Sequence, residues 1–199
     1  MRSNVCKINK GTKDLAAILR ESEKVAAYNE LTHKQALQLR LICEEMDGLL
    51  PKIIDDFDGD FWIEFENGVC KVSASIKFAE FSVEKKEELI AIARNNKNAA
   101  AKGISGKIRS MLEDLLLEDK STLGYSVSSD AVCIATGFGE DINYPYYWSL
   151  EGYRNEARKK EECEICDELE KSVIASIADD VIVGVRGKRA DIIVTKKFA

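Results

Sequence analysis

From Leu37 to Ile54 the chain reads LQLRLICEEMDGLLPKII, its most apolar helical segment, and two adjacent acids, Glu44 and Glu45, stand in the middle of it. At ~100° per residue, Leu39, Ile42, Cys43, Met46, Leu49, Leu50 and Ile53 form one broad apolar stripe, Leu37, Leu41 and Gly48 form a narrower patch around Glu44, and Glu45 falls between the two. A helix that is apolar on two sides has little solvent to face, and an ionised carboxylate in it costs free energy unless it is paired or used. Glu44 and Glu45 are therefore the first candidates for a site, against the plainer reading that both reach solvent at the helix edge.

The segment has legible ends. Thr32 with Gln35 three residues later has the pattern of a capping box, and Pro51, which has no backbone N–H to donate, marks a kink or the approach of the helix end. Upstream, Asn4 to Ile8 reads as a short edge strand, and Leu15, Ile18, Leu19, Val25 and Ala26 recur at helical spacing in a helix from Lys13 to Glu30. Downstream, Asp55 to Asp60 reads as a turn; then the period becomes two, with Phe61, Ile63 and Phe65 on one face, Asn67-Gly68 as a hairpin turn and Val69 to Lys77 as the returning strand. A helix is expected from Ser82 to Arg94 and another from Ile108 to Leu117, strands at Tyr125 to Val127, Ala131 to Thr136 and Tyr146 to Tyr153, a helix from Glu156 to Ala178, and a closing hairpin from Asp179 onward. Alternation in both hairpins requires one buried face. The expected fold is α+β: a two-layer α/β sandwich whose mixed, mostly antiparallel sheet is covered on one face by the helices containing Leu15, Leu41 and Ile108.

With 199 residues, 45% of them hydrophobic, residues 1–199 fit one domain. A net charge of −6 argues against nucleic acid as a partner, since no long basic stripe can displace counterions from phosphates. No run of 18 apolar residues and no signal-peptide core stand in the sequence, so a soluble, cytoplasmic protein without membrane contact is expected. Cys6, Cys43, Cys70 and Cys133 sit in apolar segments like small buried hydrophobes. Cys163 and Cys166 have metal-ligand spacing but no second pair, and the single histidine, His33, is far away, so no metal site is expected. Tyr144, Tyr146, Tyr147 and Trp148 concentrate aromatic surface that serves either as a protein-contact patch or, more commonly, as core.

The small and polar stretch from Asn95 to Lys107 is a candidate mobile lid. Gly103 and Gly106 ahead of a helix let amide groups approach phosphate oxygens, with Lys102 or Lys107 beside them, while an ordinary helix-to-helix connection carries equal weight.

The order of elements, together with LRLICEEMDGLL at Leu39 to Leu50, the Lys97 to Lys107 stretch and SIADDVIVGVRGKRADIIVTKKF at Ser176 to Phe198, resembles the GHKL or Bergerat-fold ATPase domain, in particular the anti-sigma-factor serine kinases that look like histidine-kinase catalytic domains. The resemblance covers nearly the whole chain, with an insertion at about 121–158. It implies bound ATP and magnesium, with a helix Glu as general base and an Asn four residues later holding the metal. Here Glu45 is followed at that spacing by Leu49, and Glu44 by Gly48. The family's adenine-accepting Asp and its glycines have no counterpart in Val72 to Phe78, and Gly103 and Gly106 match the lid glycines loosely. The resemblance thus implies a regulatory protein that binds a protein partner with weakened or lost ATP binding, and it leaves homo-oligomer formation open. The alternatives are an active serine kinase or ATPase with Glu45 as base and Glu44, Asp47 or Asn98 as substitute ligands, and an unrelated α+β binding module.

Overall fold

The structure is a computed structural model, and it describes residues 1–9, 15–54, 56–78, 108, 132–134, 146–160, 172–186 and 189–198. Asn67 and Gly68 both take positive φ (50° and 76°), the twist that a two-residue hairpin needs, and so join β2 (Phe57–Glu66) to β3 (Val69–Phe78). The closing hairpin, β6 (Asp180–Arg186) and β7 (Arg189–Lys197), lies directly beside it, because β7 pairs with β3. With β1 (Cys6–Asn9), β4 (Val132–Ile134) and β5 (Tyr146–Ser149), the sheet has, among the described residues, seven strands in the order β1-β2-β3-β7-β6-β5-β4. Every pairing among them is antiparallel, and both hairpins belong to one sheet, as the alternation requires.

Register sorts the side chains. The row Cys6, Phe61, Ala74, Ile192, Val183, Trp148 runs across the sheet, as does the row Ile63, Val72, Val194, Val181, and all ten residues are buried. This inner face meets α1 (Leu15–Tyr28), α2 (His33–Ile53), α3 (Leu150–Lys160) and α4 (Val173–Ile177) in one core with Ile18, Val25, Leu39, Ile42, Met46, Leu150, Tyr153, Ile174 and Ile108. The opposite face carries Lys7, Asp58, Asp60, Glu64, Lys71, Lys77, Arg189 and Thr195, exposed or half-exposed. The two-layer α+β sandwich is therefore the fold.

Local chemistry sets the helix ends. α1 stops at Tyr28, short of Glu30, because Glu30 turns left-handed (φ 53°) and the N–H groups of Glu30 and Leu31 return to the carbonyls of Ala27 (3.2 Å) and Ala26 (3.0 Å), a Schellman stop. Thr32 and Gln35 form the expected capping box at the start of α2. Pro51 lies in the last turn of α2, which ends at Ile53.

Three boundaries differ from expectation. Phe57 to Asp60 is strand rather than turn, because β1 supplies backbone partners from Asp58 to Phe61. The strand from Tyr146 ends at Ser149, where Ser149 Oγ accepts the Gly152 N–H (3.0 Å) and Asp180 Oδ1 accepts the Glu151 N–H (3.0 Å), so Leu150 to Tyr153 begin a helix. The expected helix from Glu156 to Ala178 is not continuous, since Ser172 is extended and caps α4 afresh through the Ala175 N–H. The expected helix from Ser82 to Arg94, the Asn95 to Lys107 stretch with Asn98, Lys102, Gly103, Gly106 and Lys107, the strand at Tyr125, Cys163 and Cys166 lie outside the described residues.

Candidate functional site

α2 buries one face, not two. Leu39, Ile42, Cys43 and Met46 are fully buried against the sheet, while Leu37 is 53% exposed and a Cβ built on Gly48 would meet nothing within 4 Å. The expected second packed patch is thus a solvent-facing one, because a helix lying flat on a sheet between two other helices has an outer side.

This geometry separates the two acids. Glu44 Oε1 accepts from Arg40 Nε (3.0 Å), and Arg40 Nη1 reaches Glu23 Oε1 on α1 (3.2 Å). Glu44 is therefore one arm of a surface triad that ties α1 to α2, and exposed pairs of this kind contribute about 1 kcal/mol or less. Glu45 is half-buried and makes no hydrogen bond or ion pair among the described residues. It lies ~140° round the helix from Arg40, on the flank away from the Arg40–Glu23 link to α1. Of the two carboxylates, Glu45 is the one available for chemistry. Asp47 is half-buried and ~160° from Glu45, so it occupies the α1-side flank.

The position four residues after Glu45 belongs to the core: Leu49 is 7% exposed. On β3, the inward Val72, Ala74 and Ile76 are buried and no carboxylate occurs from Val69 to Phe78. The Asp179-Asp180 pair ahead of β6 does structural work. Asp179 accepts from the Lys197 N–H (2.5 Å) and Lys196 Nζ (3.3 Å). Asp180 Oδ1 caps α3, and its burial raises its pKa despite the N–H groups of Glu151 and Val181 that it accepts. Arg154 donates to the carbonyls of Asp179 (3.0 Å), Ala178 (3.5 Å) and Ala175, satisfying the end of α4. Arg154 was not singled out from sequence; a base one helix away from an unsatisfied helix end leaves no local signal.

Cys6, Cys43 and Cys70 are buried and unbridged. Burial pushes the Cys70 thiol up to about 12 and the Cys43 thiol well above its ordinary value, so neither supplies a thiolate near neutrality. Trp148, 1% exposed, belongs to the core, while Tyr147, its neighbour on β5, is also buried at 9% exposure but lies on the opposite face of the sheet. Among the described residues no group of three His, Cys, Asp or Glu side chains is arranged to hold a metal ion, and no helix is long and apolar enough to cross a membrane.

A second polar region lies on the sheet's outer face, where Lys7, Asn9, Asp58, Gly59, Asp60, Ser75, Lys77 and Arg189 line a concavity of about 230 Å³. Sequence reading missed it, because Lys77 and Arg189 are 112 positions apart (189 − 77) and only strand register makes them neighbours. No protein-family model, curated protein or solved structure matches the chain.

Proposed function

We propose that the chain is a regulatory cytoplasmic protein on a Bergerat-like framework, acting by binding a protein partner, with ATP binding weakened or lost. The observation that carries this is Leu49: the position where the resembled ATPases keep a magnesium-holding Asn is filled by an apolar side chain that is part of the core. Gly48, the equivalent in the other register, has no side chain to offer, and Glu44 is engaged by Arg40. Phosphoryl transfer depends on positioned metal and polar groups more than on covalent help from the protein, so a frame without them keeps its surfaces but not its chemistry. The buried, unbridged Cys6, Cys43 and Cys70 support a reducing compartment.

A second reading, an active serine kinase or ATPase, is favoured by one observation, the half-buried Glu45 carboxylate, which makes no hydrogen bond or ion pair among the described residues. Phosphate release from ATP with magnesium separates the two. The regulatory reading expects a rate indistinguishable from buffer and unaltered by Glu45→Ala, whereas turnover abolished by Glu45→Ala makes the protein an enzyme.

A further inference from the structure

α2 carries an open line of residues on the side away from the sheet. At ~100° per residue, Leu37, Leu41 and Gly48 fall within ~40° of one another; Leu37 is 53% exposed, Leu41 is half-buried, and a Cβ on Gly48 would meet nothing within 4 Å. Two polar pairs flank this line, Arg40 with Asp47 on one side and Gln38 with Glu45 on the other, each seven residues apart and so within ~20° of each other. Gln38 and Glu45 are both half-buried, and neither makes a hydrogen bond or ion pair among the described residues. α2 also has no acid in its first turn, where its dipole favours one, and carries Lys34 there instead. Along the helix Lys34 and Arg40 precede Glu44, Glu45 and Asp47, so this face is basic first and acidic further on.

We propose that this face docks on the same face of a second copy of the chain, the two α2 helices crossing antiparallel about a two-fold axis level with the midpoint between Ile42 and Cys43. The charge order calls for reversal, which sets the basic start of each helix against acids of the other and also opposes the two dipoles. One axis position serves three kinds of contact. Leu37 lies over the open groove at Gly48 of the second copy, since both residues are about 8 Å along the helix from the axis. A two-fold axis lays each flank against the same flank of the other helix, so Arg40 meets Asp47 and the Gln38 amide meets the Glu45 carboxylate, each within ~3 Å of level. Arg40 already donates through Nε and Nη1, and its Nη2 remains for Asp47. Glu44, nearest the axis, faces its own copy, but each is neutralised by Arg40 at 3.0 Å. Lys52, in the last turn, stands ~14 Å along the helix from the axis, where helices crossing at ~50° have parted, so it does not oppose Lys34. One helix pair is small beside the ~1,200–2,000 Å² of stable interfaces, and the dimer dissociates at about 10⁻⁵–10⁻⁴ M. The contact does not depend on whether ATP binds, and its test reads mass rather than nucleotide.

Sedimentation equilibrium of the intact chain from about 10⁻⁶ to 10⁻³ M should show monomer and dimer in exchange. Leu37→Glu and Gly48→Leu change positions that are open in the single chain, so each should keep the circular dichroism of the fold while weakening the dimer at least ~10-fold. Gly48→Ala adds only a methyl beneath Leu37 and should keep the dimer. The register is read by mixing Leu37→Cys with Gly48→Cys under mild oxidation. A disulfide-linked dimer should form in the mixture and not in either variant alone or in the parent chain with its native cysteines. Within one chain the two positions are ~16 Å apart, too far for a bridge. A monomer at 10⁻³ M, an association unchanged by both Leu37→Glu and Gly48→Leu, or cross-links as abundant in Leu37→Cys alone as in the mixture would overturn the proposal.

Discussion

Replacing Leu49 by Asn places an amide where the resembled ATPases hold magnesium, and it tests whether that position is core or site. Leu49 is 7% exposed in the cluster that also contains Ile42, Met46 and Leu50. Removing a buried leucine side chain forfeits about 1.5–3 kcal/mol of transfer free energy, and burying an amide without partners costs about 1–3 kcal/mol more. Their sum, about 2.5–6 kcal/mol, is a large part of the ~5–15 kcal/mol that holds a domain folded. Urea unfolding followed by the fluorescence of Trp62 and Trp148 measures it, with Leu49→Ala as the control for volume loss. Millimolar ATP with magnesium should leave the Leu49→Asn midpoint where it was. A loss below about 1 kcal/mol, or a midpoint restored by ATP with magnesium through ligand linkage, would refute the claim that Leu49 belongs to the core and that the frame no longer holds the metal.

Glu21 is buried and accepts the N–H and Nδ2 groups of Asn4 as well as Lys24 Nζ, so Glu21→Ala should cost about 2–3 kcal/mol in urea unfolding, the scale of hydrogen bonds to a buried charge. The Lys24 ammonium first, then the Asn4 donors, hold its carboxyl below the ordinary 4.5, against burial; that stability is present above pH 4.5 and is lost as pH falls through the lowered value, and Glu21→Gln should flatten stability against pH below about 4.5. Gly48→Ala should stabilise the fold by about 0.5–1 kcal/mol, since the position is helical and the new methyl meets nothing within 4 Å; thermal unfolding reads the sign. Arg154→Ala should cost about 2–3 kcal/mol by stranding the carbonyls of Ala175, Ala178 and Asp179, and amide exchange should quicken in Val173–Ile177 before it does in β7.

Features of short range were legible in the sequence. The Thr32–Gln35 box and the Asn67-Gly68 turn formed as read because each draws on a few adjacent residues. The broad stripe of α2 from Leu39 to Leu50 was read correctly because one face of a helix repeats in a regular way. What failed depended on distant partners: Phe57 to Asp60 became strand because of β1, and the helix start at Leu150 draws on Asp180, thirty residues away (180 − 150). Two apolar arcs on a helical wheel do not say which of them meets the sheet, so the Leu37–Leu41–Gly48 patch was assigned packing that it lacks. The Arg40–Glu44 pair that sets Glu44 apart from Glu45 is an i,i+4 contact present in the sequence spacing and not used, whereas its extension to Glu23 of α1 is encoded by no local pattern. The Lys77–Arg189 opposition needed a strand register that links the two ends of the chain.

Calorimetric titration of the intact chain with ATP and magnesium tests the central proposal most directly. A metal-bridging Asn and an adenine-accepting Asp are each worth about 1.5–3 kcal/mol, so a frame lacking both should bind roughly two to four powers of ten more weakly than a complete one. The account predicts no heat of binding, or a dissociation constant in the high micromolar range (~10⁻⁴ M) or weaker, unchanged in Glu45→Ala. A low-micromolar affinity that vanishes in Glu45→Ala would contradict it and make the chain a working nucleotide-binding enzyme.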